Sequence, residues 1–263
     1  LTPGGVGRNI AHDLCLLGLD VSLVSAVGDD SNGEFLLDRC RGLGMDVSRV
    51  RVVPGARSSS YLYITDERGD MQLAVNDMAV CNEISPEYLE SVLPGIQAGA
   101  LVLDTNLPVE SLEFICRSSC IPLYADPVSS VKAMKLHGVM KHLRAIKPNA
   151  LEAAALTGQT DPELAARALI DEGVQRVFIS LGTNGMIAAE GSRILRMPSP
   201  EANVVNATGA GDAAMSAIVW ADLHGLSLED SARAAQLAGA ITCASEESNA
   251  PELSRLPGLL AAE

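Results

Sequence analysis

The sequence predicts an α/β fold: a mostly parallel sheet with helices on both faces and a small inserted β segment. Three observations predict it. From Ile84 onward, short apolar runs of strand length alternate with amphipathic stretches of helical period, the pattern of parallel strands joined by helical crossovers. Between residues 48 and 79 that alternation stops, and strand-like runs follow one another without a helix. With 263 residues and 48% apolar side chains, the chain can bury a large core, which excludes disorder as its main state.

Gly4 to Leu19 reads as a glycine turn feeding a helix, because Ile10, Leu14 and Leu17 recur at helical spacing. Val21 to Val27 reads as a buried strand and Gly33 to Leu43 as the next helix. Val50–Val53, Ser60–Thr65 and Met71–Asn76 are the three strand candidates of the insertion. The last two flank Asp66-Glu67-Arg68-Gly69-Asp70, a hairpin turn in which Gly69 is free to take positive φ. Tyr88 to Ile96 is then helical, Leu101 to Asp104 a strand, Val109 to Cys116 a helix and Ile121 to Ala125 a strand. Arg144 to Lys147 is a short strand, followed by helices at Ala150–Leu156 and Glu163–Glu172. Arg176 to Ser180 is a strand, and Met186 to Glu190 another after a glycine turn. Ala202 to Val205 is extended, and Gly211–Leu223 and Leu228–Ala244 are long helices with one face low in charge. The expected division is a core of residues 1–47 and 80–263 with a β lid at 48–79. The ligand of such a sheet is expected beyond the carboxyl ends of its strands.

Lysine and arginine total 19 against 33 aspartates and glutamates, a net charge of −14. That balance speaks against a general nucleic-acid binder or an anionic-membrane binder, both of which need a positive face. Aromatic residues are 3% of the chain, too few for a base-stacking platform. Phosphate remains an allowed ligand, because it needs only a local positive pocket. The six cysteines form no CxxC pair and no zinc spacing, and read as free thiols. His12, His137, His142 and His224 are scattered without ligand spacing. No signal peptide and no bilayer-spanning apolar run is present, so the expected compartment is the cytoplasm.

The sharpest segment is Asn206-Ala207-Thr208-Gly209-Ala210-Gly211-Asp212. Gly209 and Gly211 let the backbone approach a ligand, and the helix that follows aims free N–H groups outward, forming an anion hole. A carboxylate at its lip, Asp212, makes chemical sense if it takes a proton from a hydroxyl that attacks a phosphate. It makes sense equally as a charge that stabilises the helix N-terminus. Lys147-Pro148-Asn149 with Glu152 follows a strand and opens a helix. Its amide and carboxylate suit a hydrated Mg²⁺ or a plain capping box. Leu181-Gly182-Thr183-Asn184-Gly185 follows a strand end and reads as a phosphate- or ribose-lining loop or as a tight turn. Gly4-Gly5-Val6-Gly7-Arg8-Asn9 fails the dinucleotide fingerprint, because Ile10 stands at the third glycine. Asn9 there reads as a polyol contact or as an N-cap. No Walker sequence occurs.

Taken in order, Gly4-Gly5-x-Gly7-x-Asn9, Lys147-Pro148-Asn149-x-x-Glu152, Leu181-Gly182-x-x-Gly185 and Thr208-Gly209-Ala210-Gly211-Asp212 resemble the motifs of the ribokinase (PfkB-type) carbohydrate and nucleoside kinases. The resemblance covers essentially the whole chain. Within that family, Thr2–Ala11, Ser25-Ala26-Val27-Gly28, Ala74-Val75-Asn76-Asp77-Met78 and Asn206 are similar to the bacterial pseudouridine kinases.

The resemblance implies a ribokinase-like fold and ATP-dependent phosphorylation of the 5′-hydroxyl of pseudouridine, with another sugar or nucleoside, or a non-catalytic relative, as alternatives. It implies Asp212 as general base, with Gly209, Ala210 and Gly211 supplying backbone amides for the transferring phosphoryl group. It implies Asn149 and Glu152 for Mg²⁺ held through waters. Lys147, Ser180, Gly182, Gly185, Thr208 and Ala240 are implied for ATP, and Gly5, Asn9, Asn76 and Asp77 for the sugar or base. A monovalent cation such as K⁺ beside Ala240–Asn249 and a homodimer through the lid are implied as well. Relatives carry a further N-terminal segment of a central strand, part of the lid and a sugar-gripping Asp. This sequence opens at Leu1 on the Gly-rich loop, so such a segment is expected to be missing from it.

Overall fold

A computed structural model describes residues 2–65 and 71–261; the Asp66–Asp70 turn expected from the sequence lies outside the described residues. The first helix, α1, spans Val6–Leu16. It is followed by β1 (Ser25–Gly28), α2 (Ser31–Gly42) and β2 (Val50–Val53). The strands β3 (Ser60–Thr65) and β4 (Met71–Asp77) form an antiparallel pair. Then come α3 (Pro86–Val92), β5 (Leu101–Asp104), α4 (Val109–Ser118), β6 (Leu123–Asp126), α5 (Ser130–Ala133) and β7 (Leu143–Ile146). The chain continues through α6 (Ala150–Thr157), α7 (Pro162–Asp171), β8 (Arg176–Ser180), β9 (Met186–Glu190) and β10 (Arg193–Met197). It closes with α8 (Ala210–Leu223), α9 (Leu228–Cys243) and α10 (Leu256–Ala261).

The main sheet has six strands in the order β10-β9-β8-β7-β6-β5. β5 to β8 run parallel, β9 pairs antiparallel with β8, and β10 pairs antiparallel with β9 and so returns to the direction of β5 to β8. The parallel strands are covered on both sides, as their nearly unbroken apolar runs require. Strand alternation sorts their side chains between two cores. Val177 and Ile179 of β8 face Leu112, Ile115, Leu156 and Leu169 of α4, α6 and α7. Phe178 between them faces Ile10 and Leu14 of α1, Met215 and Ile218 of α8, and Ala232 of α9. α8 lies in the middle of its layer, and every residue from Ala213 to Ala221 is buried.

Three features differ from the sequence expectations. Val50–Val53, expected inside the inserted lid, pairs in parallel with β1 from Ser25↔Val50 to Gly28↔Val53. The inserted antiparallel pair is therefore β3–β4 alone. β10 is an additional strand: Arg193 and Arg196 mask its half-buried apolar residues, and Gly191 at φ 56 makes the two-residue turn from β9. Residues 202–205 form no strand. Among the described residues β1 and β5 each pair on one side only.

On the β3–β4 pair, Leu62 opposes Val75 and Ile64 opposes Leu73. All four share one face and are 57–70% exposed. No helix among the described residues is long and apolar enough to cross a membrane.

Candidate active site

Four acidic residues and one lysine converge where β5, β6 and β7 end and where α1 and α8 begin. The approach of α8 is set by Gly209. It has φ 87, and a Cβ placed on it would lie 2.0 Å from the Ser248 carbonyl oxygen, so only glycine fits. The first helical bond of α8 runs from Ala213 N to Gly209 O, which leaves the Gly211 and Asp212 amides outside the ladder. A Cβ on Gly211 would lie 3.3 Å from Lys147 Nζ. The lysine tip therefore sits directly on the helix N-terminus, and both present positive charge to the same space.

Asp212, in the first turn of α8, accepts a hydrogen bond of 2.7 Å from Asn9 Nδ2. Burial pushes its carboxyl up to about 7. Asn9 and Lys147 pull against that, while Asp126 and Asp104 add to it. A carboxyl raised toward neutrality beside an open helix N-terminus is suited to moving protons at physiological pH.

Lys147 is 4% exposed and pairs with Asp126 at 3.2 Å. Burial works against its charge, but Asp126, Glu152 and Asp212 together hold the ammonium above its ordinary range. Asp126 is the last residue of β6, and Asp104, its register neighbour, is the last of β5. Asp104 accepts from Gly7 N at 2.9 Å and from Asn106 N at 2.7 Å. A Cβ on Gly7 would lie 2.9 Å from the same carboxylate oxygen. Burial pushes the Asp104 carboxyl up. After Asp126 the backbone is strained: Val128 takes φ 62, unfavourable for a β-branched residue. The sequence motifs single out neither Asp104 nor Asp126. The available signal was an aspartate closing each of two successive apolar strands, at the end of the sheet where ligands bind.

Asn149 and Glu152 form a complete capping box. Glu152 N donates to Asn149 Oδ1 at 2.9 Å, and Asn149 N donates to Glu152 Oε2 at 2.8 Å. The capping reading is thus realised, and the box engages Oε2 of Glu152. Burial pushes this carboxyl up, with Asn149 and Lys147 opposing. Ser180 bridges to Asn149, its N–H donating to the Pro148 carbonyl at 3.0 Å. The Lys147–Glu152 and Leu181–Gly185 segments therefore lie side by side. The latter is a tight turn: Gly182 to Asn184 form a 3-10 turn, and Leu181 N donates to Gly185 O at 2.9 Å. Gly185 takes φ 91, with the Met197 carbonyl where a Cβ would be.

The remaining expected residues spread around this centre. Gly5, at φ 97, caps α1, and its carbonyl accepts from Asn9 N at 2.8 Å. Asn9 is 8% exposed, and its side chain is engaged by Arg8 and Asp212. Thr208 donates its N–H to Asn206 Oδ1. Ala240 lies on α9 beside Gly239, which packs near Ala210 O. Asn76 and Asp77 lie exposed at the end of β4, and Asp77 accepts from Ala79 N. Among the described residues no hydrogen bond ties either to the central cluster. No group of three or more His, Cys, Asp or Glu among the described residues is arranged to hold a metal ion by itself.

Comparison with known proteins supplies relatives for this arrangement. Residues 1–255 match the profile of the pfkB family carbohydrate kinases. The chain is 38% identical over 261 residues to the pseudouridine kinase of Escherichia coli K12, covering 96% of this chain and 83% of that one. It superimposes on the ribokinase of Thermotoga maritima with a TM-score of 0.88 at 20% identity, covering 100% of this chain and 88% of that one. An Escherichia coli protein assigned as a ribokinase II, solved in complex with ATP and Mg²⁺, superimposes with a TM-score of 0.85 at 19% identity. That match covers 100% of this chain and 92% of the other. The fold is ribokinase-like.

Proposed function

Because the chain belongs to the pfkB family of carbohydrate kinases, we propose that it transfers the γ-phosphoryl group of ATP to the 5′-hydroxyl of pseudouridine. Transfer of phosphate to a small sugar or nucleoside is the activity of the family. The particular acceptor is supported by the 38% identity to the Escherichia coli pseudouridine kinase over 96% of this chain.

The observation that carries the chemistry is the carboxyl of Asp212, held up at about 7 beside the open N-terminus of α8. As general base, Asp212 accepts the proton of the attacking 5′-hydroxyl as the new P–O bond forms and the bond from the γ-phosphorus to the bridging oxygen breaks, releasing ADP. A base titrating near the working pH suits that step. The Gly211 and Asp212 amides and the Lys147 ammonium receive the negative charge of the phosphoryl oxygens, preorganised and partly shielded from water. Gly209 and Gly211 let the phosphoryl group come close to backbone. Asn9 orients Asp212 and, with Gly5, borders the sugar, while Ser180, Gly182, Gly185, Thr208 and Ala240 line the ATP side. Asn76 and Asp77, at the base of the β3–β4 lid, approach the sugar or base.

Asn149 and Glu152 fit an outer-shell role for Mg²⁺. The capping box holds Glu152 rigid through Oε2, and its other carboxylate oxygen is a hard acceptor for metal-bound water. When bound, Mg²⁺ supplies charge neutralisation on the triphosphate. A monovalent cation near Ala240–Asn249 belongs to the same reading.

The apolar face of Leu62, Ile64, Leu73 and Val75 supports a homodimer through the lid. A two-stranded sheet with an exposed apolar face is marginal alone, and a second copy covers it. The deciding experiment for the function is ADP release with Mg-ATP, offering pseudouridine, uridine and ribose in parallel. Turnover with pseudouridine alone is the expected result. Preference for ribose or uridine, or silence with all three, overturns pseudouridine as the acceptor.

A further inference from the structure

Asp13 is a buried carboxyl that the proposed reaction does not use. It lies one helical turn after Asn9 on the same face of α1 and is 0% exposed. Its Oδ1 accepts from Asn249 Nδ2 at 2.8 Å, and its Oδ2 has no hydrogen-bond partner. No cation pairs with it among the described residues. The nearby Arg8 guanidinium donates from Nε to the Gly4 carbonyl and from Nη2 to the Pro3 carbonyl and the side-chain oxygens of Asn9 and Asn249, three acceptors sharing two hydrogens.

Donor and acceptor accounting gives this network a direction. Arg8 can only donate, so Asn9 and Asn249 must both turn their oxygens toward it. Both amide NH₂ groups then point the other way and need acceptors. Asn9 finds one in Asp212, at 2.7 Å. Asn249 finds two, in the Asn9 carbonyl at 3.0 Å and in Asp13 at 2.8 Å. Asp13 and Asp212 are therefore the two acceptor ends of one chain of bonds centred on Arg8. The residue before Asn249 is Ser248, whose carbonyl oxygen packs against Gly209 at the start of α8.

We propose that Asp13 is a positioning residue for Asp212: by fixing Asn249 it fixes the direction of the Asn9–Asp212 hydrogen bond and the seat of the Ser248 carbonyl on Gly209. This rests on the reading of Asp212 as the base. Below about pH 7 Asp13 does this as the uncharged acid, because a buried carboxylate with one amide partner and no cation is costly; above it, the carboxylate adds a negative charge that opposes the ionisation of Asp212. Burial pushes its carboxyl up to about 7, opposed by Asn249 and Arg8 and assisted by Asp212. The titratable groups facing this end of the network are Arg8 and His12 on α1, Asp212 on α8 and Glu247 in the loop before Asn249. The coupling between Asp13 and Asp212 is mutual, so each opposes the ionisation of the other.

The test compares Asp13→Asn and Asp13→Leu with wild type, measuring kcat and KM for ATP from about pH 5 to about pH 9. Asp13→Leu removes the acceptor at similar size. Its kcat is expected to fall about tenfold or more with KM for ATP unchanged, as for a misplaced base. Asp13→Asn keeps a neutral acceptor, rescues kcat to within about twofold, and shifts the acid limb of the kcat profile to lower pH, because the opposing charge is gone. Wild-type kcat in a folded Asp13→Leu protein, or equal losses in both variants, would overturn the proposal.

Carboxyl ¹³C titration of Asp212 by NMR, read in wild type and Asp13→Asn, needs neither turnover nor the leucine variant. A lowered Asp212 midpoint supports the coupling, and an unmoved midpoint refutes it. Absence of turnover in wild type would instead count against the kinase reading.

Discussion

As the proposed base, Asp212 meets two opposed demands, since its charge would be needed for proton abstraction and its surroundings resist that charge. Asp212→Asn is expected to lower kcat at least ~10²-fold with ATP binding retained, the low end for a positioned base; steady-state kinetics with ATP titration checks it. In wild type, kcat is expected to rise as pH passes upward through about 7, where the Asp212 carboxyl ionises. Stability has the opposite sign. A carboxyl raised from 3.8 to about 7 in the folded state favours folding below about pH 4 and loses that contribution as pH climbs to about 7. Melting temperatures at about pH 5 and pH 8 should show Asp212→Asn gaining on wild type at the higher pH. Gly209→Ala should lower the melting temperature and abolish turnover, because its methyl group meets the Ser248 carbonyl at positive φ. Asp212, Asn149 and Glu152 are legible in the sequence because each sits in a spaced motif. Asp104, Asp126 and Asp13 are not, because their meaning depends on which strands and loops lie beside them.

At the scale of elements, the sharpest sequence signals were helical periodicity and glycine-marked strand ends, and they locate α6, β8, β9, α8 and α9 to within a residue or two. Pairing partners were less legible. Val50–Val53 carries the same short apolar pattern whether it joins the lid or β1, and only the three-dimensional register decides. The far end of α8 has its own anchor that no motif announces. Asp222 accepts from Arg144 at 2.6 and 2.7 Å, from Arg176 at 3.0 Å and from the Tyr124 hydroxyl at 2.5 Å. Burial opposes the charge of Asp222, but these partners hold its carboxyl below the usual range. The network ties the helix to the starts of β7 and β8 and to β6. Removing the carboxylate in Asp222→Ala leaves Arg144 without its ion-pair partner and Arg176 with Glu190 alone, and should cost about 3 kcal/mol. Chemical denaturation checks this, with an accompanying fall in kcat if the helix shifts.

The molecule as a whole combines a charge of −14 with Lys147 facing Asp126 at the proposed catalytic end of the sheet. An anionic nucleotide is therefore drawn to that spot by local charge, against the field of the surface, and KM for ATP should fall as ionic strength rises from about 0.02 to about 0.2 M. The proposed lid contact belongs to this scale too. Leu62→Lys should shift a dimer to monomer in sedimentation experiments, since Leu62 is 70% exposed in one copy and central to the apolar face. The alternation of short apolar runs with helical stretches made the α/β class legible, but oligomeric state is carried by surface that a single chain leaves bare.

α8 has a fully buried middle, a glycine that fits no other residue at its start and an aspartate held by three partners at its end. From Ala213 onward, where the amides enter the helical ladder, its hydrogens should exchange with deuterated solvent only through opening of the whole domain, more slowly than those of the β3–β4 pair. The proposed base is thus expected to ride at the start of the slowest-exchanging helix, while the β3–β4 pair proposed to cover the acceptor is expected among the fastest.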